Sequence, residues 1–248
     1  MIDAIYAAHA AGFETVECHW PYEYDAAEVK AALDATGLTM LGLNTVRGNL
    51  AANENGLAAL PGREDEARAG IDQALCYAAA INTPNIHVMA GFAEGSAAEN
   101  CFIKNLRYAT SQQQQVTFLI EPLNHYDAPG YFLNSTDQAR RIIEAVAAPN
   151  LKLMFDCYHI QILEGDLTRR LQANIDIIGH IQFAGVPSRG RPDYGEINYQ
   201  HIFKQIADMG YTAPLGAEYK PENGDTDGSL GWKSKLEEQA GVNRQPRS

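Results

Sequence analysis

The chain has 248 residues, 46% hydrophobic and 20% charged, which suits one globular α/β domain able to bury a substantial core. Its formal net charge of -12 sets it against phosphate backbones and anionic bilayers, so neither nucleic acid nor membrane is expected as a partner. No apolar run approaches the roughly 20 residues that span a bilayer, and Cys18, Cys76, Cys101 and Cys157 form no CxxC pair, reading as reduced thiols of a cytoplasmic protein.

Residues 2–11 predict a short apolar helix without a basic leader, so no targeting segment is expected; Gly12 ends it. A strand follows at 13–17. Asp25-Ala-Ala-Glu28 has capping-box spacing and opens a helix on Val29, Ala32 and Leu33 that Gly37 terminates. After a strand at 38–43 comes a long loop, 44–62, rich in Gly, Asn and Ala. Residues 63–80 repeat Ala67, Ile71, Ala74, Leu75 and Ala78 at helical spacing. A strand is expected at 86–90 and a helix capped by Ser96-Ala-Ala-Glu99 after it. The strand ending in Glu121 precedes a helix opened by Ser135 and Gln138. The strand 151–156 precedes a helix near 167–176, the strand 179–184 a helix at 199–209, and the strand 214–218 a helix at about 228–238. Alternating βα units predict a parallel sheet under helices. Seven strands fit a TIM (β/α)8-type barrel lacking its first strand better than an open doubly wound sheet. One domain, 1–248, short at its N-terminal end, is expected.

Three apolar runs end in a carboxylate: 116–120 in Glu121, 151–155 in Asp156 and 214–217 in Glu218. Apolar runs of this length read as strands buried on both faces, and a charge at the tip belongs at a barrel rim. Pro122 stops the first run from continuing as a central strand. Gln182, inside the apolar run His180-Ile-Gln-Phe-Ala184, is a buried amide in need of a partner or ligand. Two Glu, one Asp and one Gln make an all-oxygen set suited to Mg2+ or Mn2+ rather than zinc. A cation would offset the mutual repulsion of three carboxylates and act as a Lewis acid. His159 lies three residues past Asp156. Arg189 and Arg191, in Pro187-Ser-Arg-Gly-Arg-Pro192, are guanidinium groups suited to a carboxylate, Arg191 reading more as a solvated side chain. His87 is either pocket lining or a satisfied core histidine, and Glu17 reads as structural.

These motifs resemble the hydroxypyruvate isomerase family of xylose-isomerase-like TIM barrels. The likeness is carried by Gly12-Phe-Glu-Thr-Val-Glu17, Leu60-Pro-Gly-Arg-Glu64, His87-Val-Met-Ala-Gly91 and Ile120-Glu-Pro-Leu-Asn-His125. Asp156-Cys-Tyr-His159, Gly195-Glu-Ile-Asn-Tyr199 and Gly216-Ala-Glu-Tyr-Lys-Pro221 extend it to about residues 10–232. The resemblance implies a metal-assisted isomerase of a small hydroxy-keto acid or sugar acid. It places catalytic glutamates on Glu121 and Glu218 and metal ligands on Glu121, Asp156, Gln182 and Glu218. His159, Arg189 and His87 are expected to meet the substrate. Family members begin with a strand ahead of the helix that here holds residues 2–11, so barrel closure is expected to differ. A 2-oxo-tetronate isomerase or ketose 3-epimerase on the same scaffold is the nearest alternative. An abasic-site nuclease would need a basic face and a His-rich zinc cluster; a non-catalytic sugar-binding protein is the remaining class. Self-association into a homo-oligomer is left open by the sequence.

Overall fold

Strands form where short apolar runs interrupt helical spacing, and polar caps decide where the helices between them begin. The computed structural model describes residues 1–239. In chain order it contains α1 (Ile2–Ala10), β1 (Thr15–Val16), α2 (Ala26–Thr36), β2 (Thr39–Met40), β3 (Gly42–Asn44), α3 (Glu64–Ile81), β4 (Asn85–His87) and α4 (Gly95–Gln112). Then follow β5 (Thr117–Ile120), α5 (Thr136–Val146), β6 (Leu151–Asp156), α6 (Cys157–Leu163), α7 (Leu167–Asn174), β7 (Ile178–Phe183), α8 (Tyr199–Asp208), β8 (Leu215–Ala217), α9 (Thr226–Ser229) and α10 (Gly231–Gln239). Asp25 caps α2 by accepting from the Ala27 N–H at 2.7 Å, and Gly37 takes the left-handed conformation that ends it. Ser135 accepts from Gln138 N–H at 3.1 Å, and the Gln138 side chain reaches back to Asn134 N–H at 3.0 Å. That reciprocal exchange is close to the capping box expected there.

The pairing order is β3-β4-β5-β6-β7-β8, all parallel, with β1 parallel to β2. In a doubly wound sheet the order reverses at a switch point. Here it never reverses, which is the progression of a barrel wall. The expected strand 38–43 is a single stave broken at Leu41. Its first half pairs with β1 and its second with β4. Hydrogen bonds from Leu41 N to Val16 O (2.7 Å) and from Asn44 N to His19 O (2.7 Å) carry the contact past the break. Seven staves therefore stand side by side.

Among the described residues no strand pairs across the free edges of β8 and β1. A cavity of about 470 Å3 is lined by Val16 and Leu215 of these strands, by Glu218, His19 and Gln182, and by Ile5 and Ala8 of α1 and Trp232 of α10. The helices bury their apolar stripes on the outer wall, with Phe102, Leu106, Phe118, Ile120, Ile142 and Phe155 all fully buried in one cluster. Full burial of each such side chain contributes about 1.5–3 kcal/mol.

Three local expectations need correction. Ser96 is no cap, because α4 begins at Gly95 and Glu99 is held instead by Arg141 of α5 at 2.8 Å. The strand expected at 86–90 stops at His87, where Ala90 turns away to bridge Gly56 of the long loop. That loop carries a short 3-10 turn, Leu50–Ala52, and buries Leu57, Ala58 and Ala59.

Candidate active site

Consecutive staves deliver polar tips to one end of the wall. Glu121 leaves β5 just ahead of Pro122, whose missing N–H ends the ladder. Asp156 is the last residue of β6, and its Oδ1 accepts from Tyr158 N–H at 2.8 Å, capping α6. Gln182 of β7 is the register partner of Asp156. Glu218 follows β8, its N–H donating to Phe183 O at 3.2 Å.

These tips converge. Glu121, Asp156 and His159 each place an atom within 4.8 Å of the others. His87 Nδ1 lies 3.6 Å from Glu121 Oε2, and His159 Nε2 lies 3.9 Å from Glu121 Oε1 and 3.7 Å from Asp156 Oδ2. Nη2 of Arg189 touches Glu218 Oε1 and is 3.7 Å from Asp156 Oδ2, so the last stave joins the group through that guanidinium. His19 Nε2 approaches Glu218 Oε1 at 3.3 Å from the opposite edge.

The carboxylates differ in their partners. Burial, then the charges of Glu218 and Asp156, hold the Glu121 carboxyl well above the usual range. Burial and then Glu218 raise Asp156 to about 7. Burial also acts to raise Glu218, but the hydrogen bond from His19 and the charge of Arg189 overcome it and bring the group to about 2. Burial lowers His87 and His159 to about 3, so both imidazoles are neutral.

An acid whose folded pKa is raised leaves stability intact below its unfolded value, near 3.9 for Asp, and weakens the fold as pH climbs through the folded value. In chelator the thermal midpoint is therefore expected to fall by a few degrees between pH 5 and 7.5 through Asp156 and Glu121. Saturating Mn2+ should flatten that slope, because ligation favours the ionised carboxylates. Parallel scans with EDTA and with Mn2+ check this, and equal slopes would contradict it.

A divalent cation fits the donor set. Of the eleven buried side-chain nitrogen and oxygen atoms without a hydrogen-bond partner among the described residues, six belong here: both His87 nitrogens, Glu121 Oε1, Asp156 Oδ2, His159 Nε2 and Gln182 Oε1. Leaving a buried polar atom unpaired costs about 1–3 kcal/mol, so such a concentration marks atoms held for a ligand. Three of the six are acceptor oxygens on adjacent staves. His159 plays a different part from these. Its Nδ1 receives the Asn124 backbone N–H at 3.1 Å and the Asn124 amide at 2.8 Å. The ring proton therefore sits on Nε2, which offers the site a donor rather than a lone pair.

Arg189 is not a solvated loop arginine. It faces Glu218, Asp156 and Asp127 and lies over the Tyr158 ring at 5.3 Å. Arg191 instead pairs with Asp193 at 2.8 Å rather than pointing free into solvent. His87 is buried without a satisfied nitrogen, which makes it lining rather than satisfied core. The Glu17 carboxylate accepts from the Gln182 amide at 2.8 Å and meets His180 Nε2 at 2.9 Å, contacts to protein groups alone. Sequence reasoning also passed over His19 and Asn124. They sit two and three residues beyond a strand-ending glutamate, Glu17 and Glu121, a position that rim geometry could have flagged.

The family described as xylose isomerase-like TIM barrel matches residues 5–237. A 2-oxo-tetronate isomerase of Cupriavidus necator is 48% identical over 237 residues, 93% of this chain and 91% of that protein. Hydroxypyruvate isomerase of Escherichia coli is 40% identical over 227 residues, 89% of this chain and 88% of its own. A crystal structure from Brucella melitensis, described as an AP endonuclease of family 2, superposes with a TM-score of 0.91 at 38% identity, covering 94% of this chain and 92% of that one.

Proposed function

The chain belongs to the xylose isomerase-like TIM barrel family, and from that premise we propose that it is a metal-assisted isomerase of small hydroxy-keto acids, interconverting hydroxypyruvate and tartronate semialdehyde. The observation that carries this reading is the trio of unpartnered buried oxygens on Glu121, Asp156 and Gln182, with Glu218 joined to them through Arg189. Relatives at 48% and 40% identity bear names of this reaction class.

The reaction moves a proton from C3 to C2 while a hydroxyl proton passes from O3 to O2. Atoms and electrons balance within one molecule, so no redox partner is needed. Glu218, held ionised between His19 and Arg189, takes the carbon-bound proton. Glu121, between His87 and His159 on the other side, returns one to the neighbouring carbon, and exchange with solvent then takes the proton off Glu218 and restores the one on Glu121. His159 Nε2–H donates to a substrate oxygen, and Arg189 and His87 complete the wall around the substrate. Glu121, Asp156, Gln182 and Glu218 would hold Mg2+ or Mn2+, which when bound supplies a Lewis acid for the enediolate charge. The four free cysteines fit a reducing cytoplasmic setting.

The test is turnover of hydroxypyruvate by chelated protein before and after adding Mg2+ or Mn2+. Metal-dependent formation of tartronate semialdehyde is expected. A 2-oxo-tetronate substrate is the second reading, favoured by the Cupriavidus relative, and the ratio of kcat/KM values for the two acids decides between them. Epimerisation of ketoses with neither acid turned over would overturn both. Nuclease chemistry finds little support, since the cluster of ligand-type side chains found among the described residues holds two carboxylates and one histidine, on a chain of net charge -12.

A further inference from the structure

We infer that Glu17 is a positioning residue, whose carboxylate dictates which end of the Gln182 amide is presented to the cation. The inference rests on the proposed reading of Gln182 as a ligand.

An amide can turn either its oxygen or its NH2 toward a site, and the two differ only in their hydrogen-bond partners. A ligand must present oxygen. At Gln182 the choice is made from behind: Nε2 donates to Glu17 Oε2 at 2.8 Å, a contact that the amide oxygen could not make with a carboxylate. Oε1 is left buried and without a donor, on the residue in register with Asp156. Turning the amide over would set its oxygen against the Glu17 carboxylate.

Glu17 is itself fixed. Its other oxygen meets His180 Nε2 at 2.9 Å, two residues before Gln182 on the same face of β7. His180 is 4% exposed, so its ring offers a rigid donor. Room for the carboxylate comes from Gly216 of β8, where an added Cβ would collide with Glu17 Oε1 and approach His180 Nε2 at 3.0 Å. Residues 17, 180, 182 and 216 come from three separate staves, and their arrangement has one geometric consequence, the orientation of a single amide.

The test measures Mn2+ affinity by electron paramagnetic resonance on the full chain, with no turnover needed. Glu17→Leu removes the acceptor and is expected to weaken Mn2+ binding by roughly 10–100-fold, the usual effect of losing a group that orients a ligand. Glu17→Gln keeps one acceptor oxygen and should recover part of that loss, which guards against Glu17→Leu merely misfolding. The decisive arm is a double-mutant cycle with Gln182→Leu. If Glu17 acts through Gln182, then Glu17→Leu should change affinity by less than about 3-fold once Gln182 is gone. Full additivity would mean that Glu17 acts only by its charge, and the inference falls. Wild-type affinity in Glu17→Leu would overturn it as well. Absence of Mn2+ binding in the unaltered protein would instead sink the metal reading itself, and this inference with it.

Discussion

Glu218→Gln and Glu121→Gln are each expected to lower kcat for isomerisation by roughly 10²–10⁴-fold, the range for removing a positioned general acid or base, while circular dichroism stays unchanged. Gln is close in shape to Glu but cannot take a proton from carbon, so the loss belongs to proton transfer rather than to packing. The two variants should part company in stability. Glu218 is ion-paired with Arg189 and contacts His19, and neutralising it leaves Arg189 with Asp156 and Asp127 alone. A modest fall in thermal midpoint is expected. Glu121 is 6% exposed, its carboxyl is pushed up by burial and by two neighbouring carboxylates, and among the described residues its ion-pair contacts are with the His87 and His159 rings rather than with a lysine or arginine. Neutralising it removes repulsion, so the metal-free variant should melt no lower than the unaltered protein. Near-normal turnover in either variant would refute the two-glutamate scheme. A collapse of stability in Glu121→Gln would refute the electrostatic account of the site.

Much of this site was legible because strand burial constrains sequence strongly. A strand covered on both faces is forced to be apolar, so Glu121, Asp156 and Glu218 stand out where such runs stop. The run 151–156 matches β6 residue for residue. Gln182 stood out for the same reason, as one amide in an apolar strand. What escaped notice depends on distance in the chain. Glu17 looked like the end of an ordinary strand because its partners, His180 and Gln182, lie more than 160 residues away. Asn124 was hidden inside the motif that carries Glu121, since its task is to orient His159 in α6, beyond the next stave. The break at Leu41 was invisible for another reason. Residues 38–43 are uniformly apolar or small, and only their pairing on two different sides divides them.

Asp156 joins two roles that a pair of substitutions can separate. Oδ1 caps α6 through Tyr158 N–H, while Oδ2 is buried, unpartnered and close to His159 and Arg189. Asp156→Asn keeps a cap oxygen but discards the charge, and is expected to weaken Mn2+ binding by roughly 100-fold or more, as the loss of a direct ligand should exceed that of a group behind it. The same change removes a carboxyl whose pKa is raised to about 7 by burial and Glu218, so the metal-free protein should gain stability at pH 8 and gain nothing at pH 4. Asp156→Ala loses the charge and the cap together, and its metal-free stability should fall about 1 kcal/mol below that of Asp156→Asn. Metal titrations and urea melts of the two variants read these effects independently. Stability is the more telling of the two measurements: a residue kept for the fold alone destabilises the protein when neutralised, whereas one kept for a cation relieves it. Should Asp156→Asn bind Mn2+ as the unaltered protein does, the cation would have to sit elsewhere than on the oxygens left bare at the ends of β5, β6 and β7.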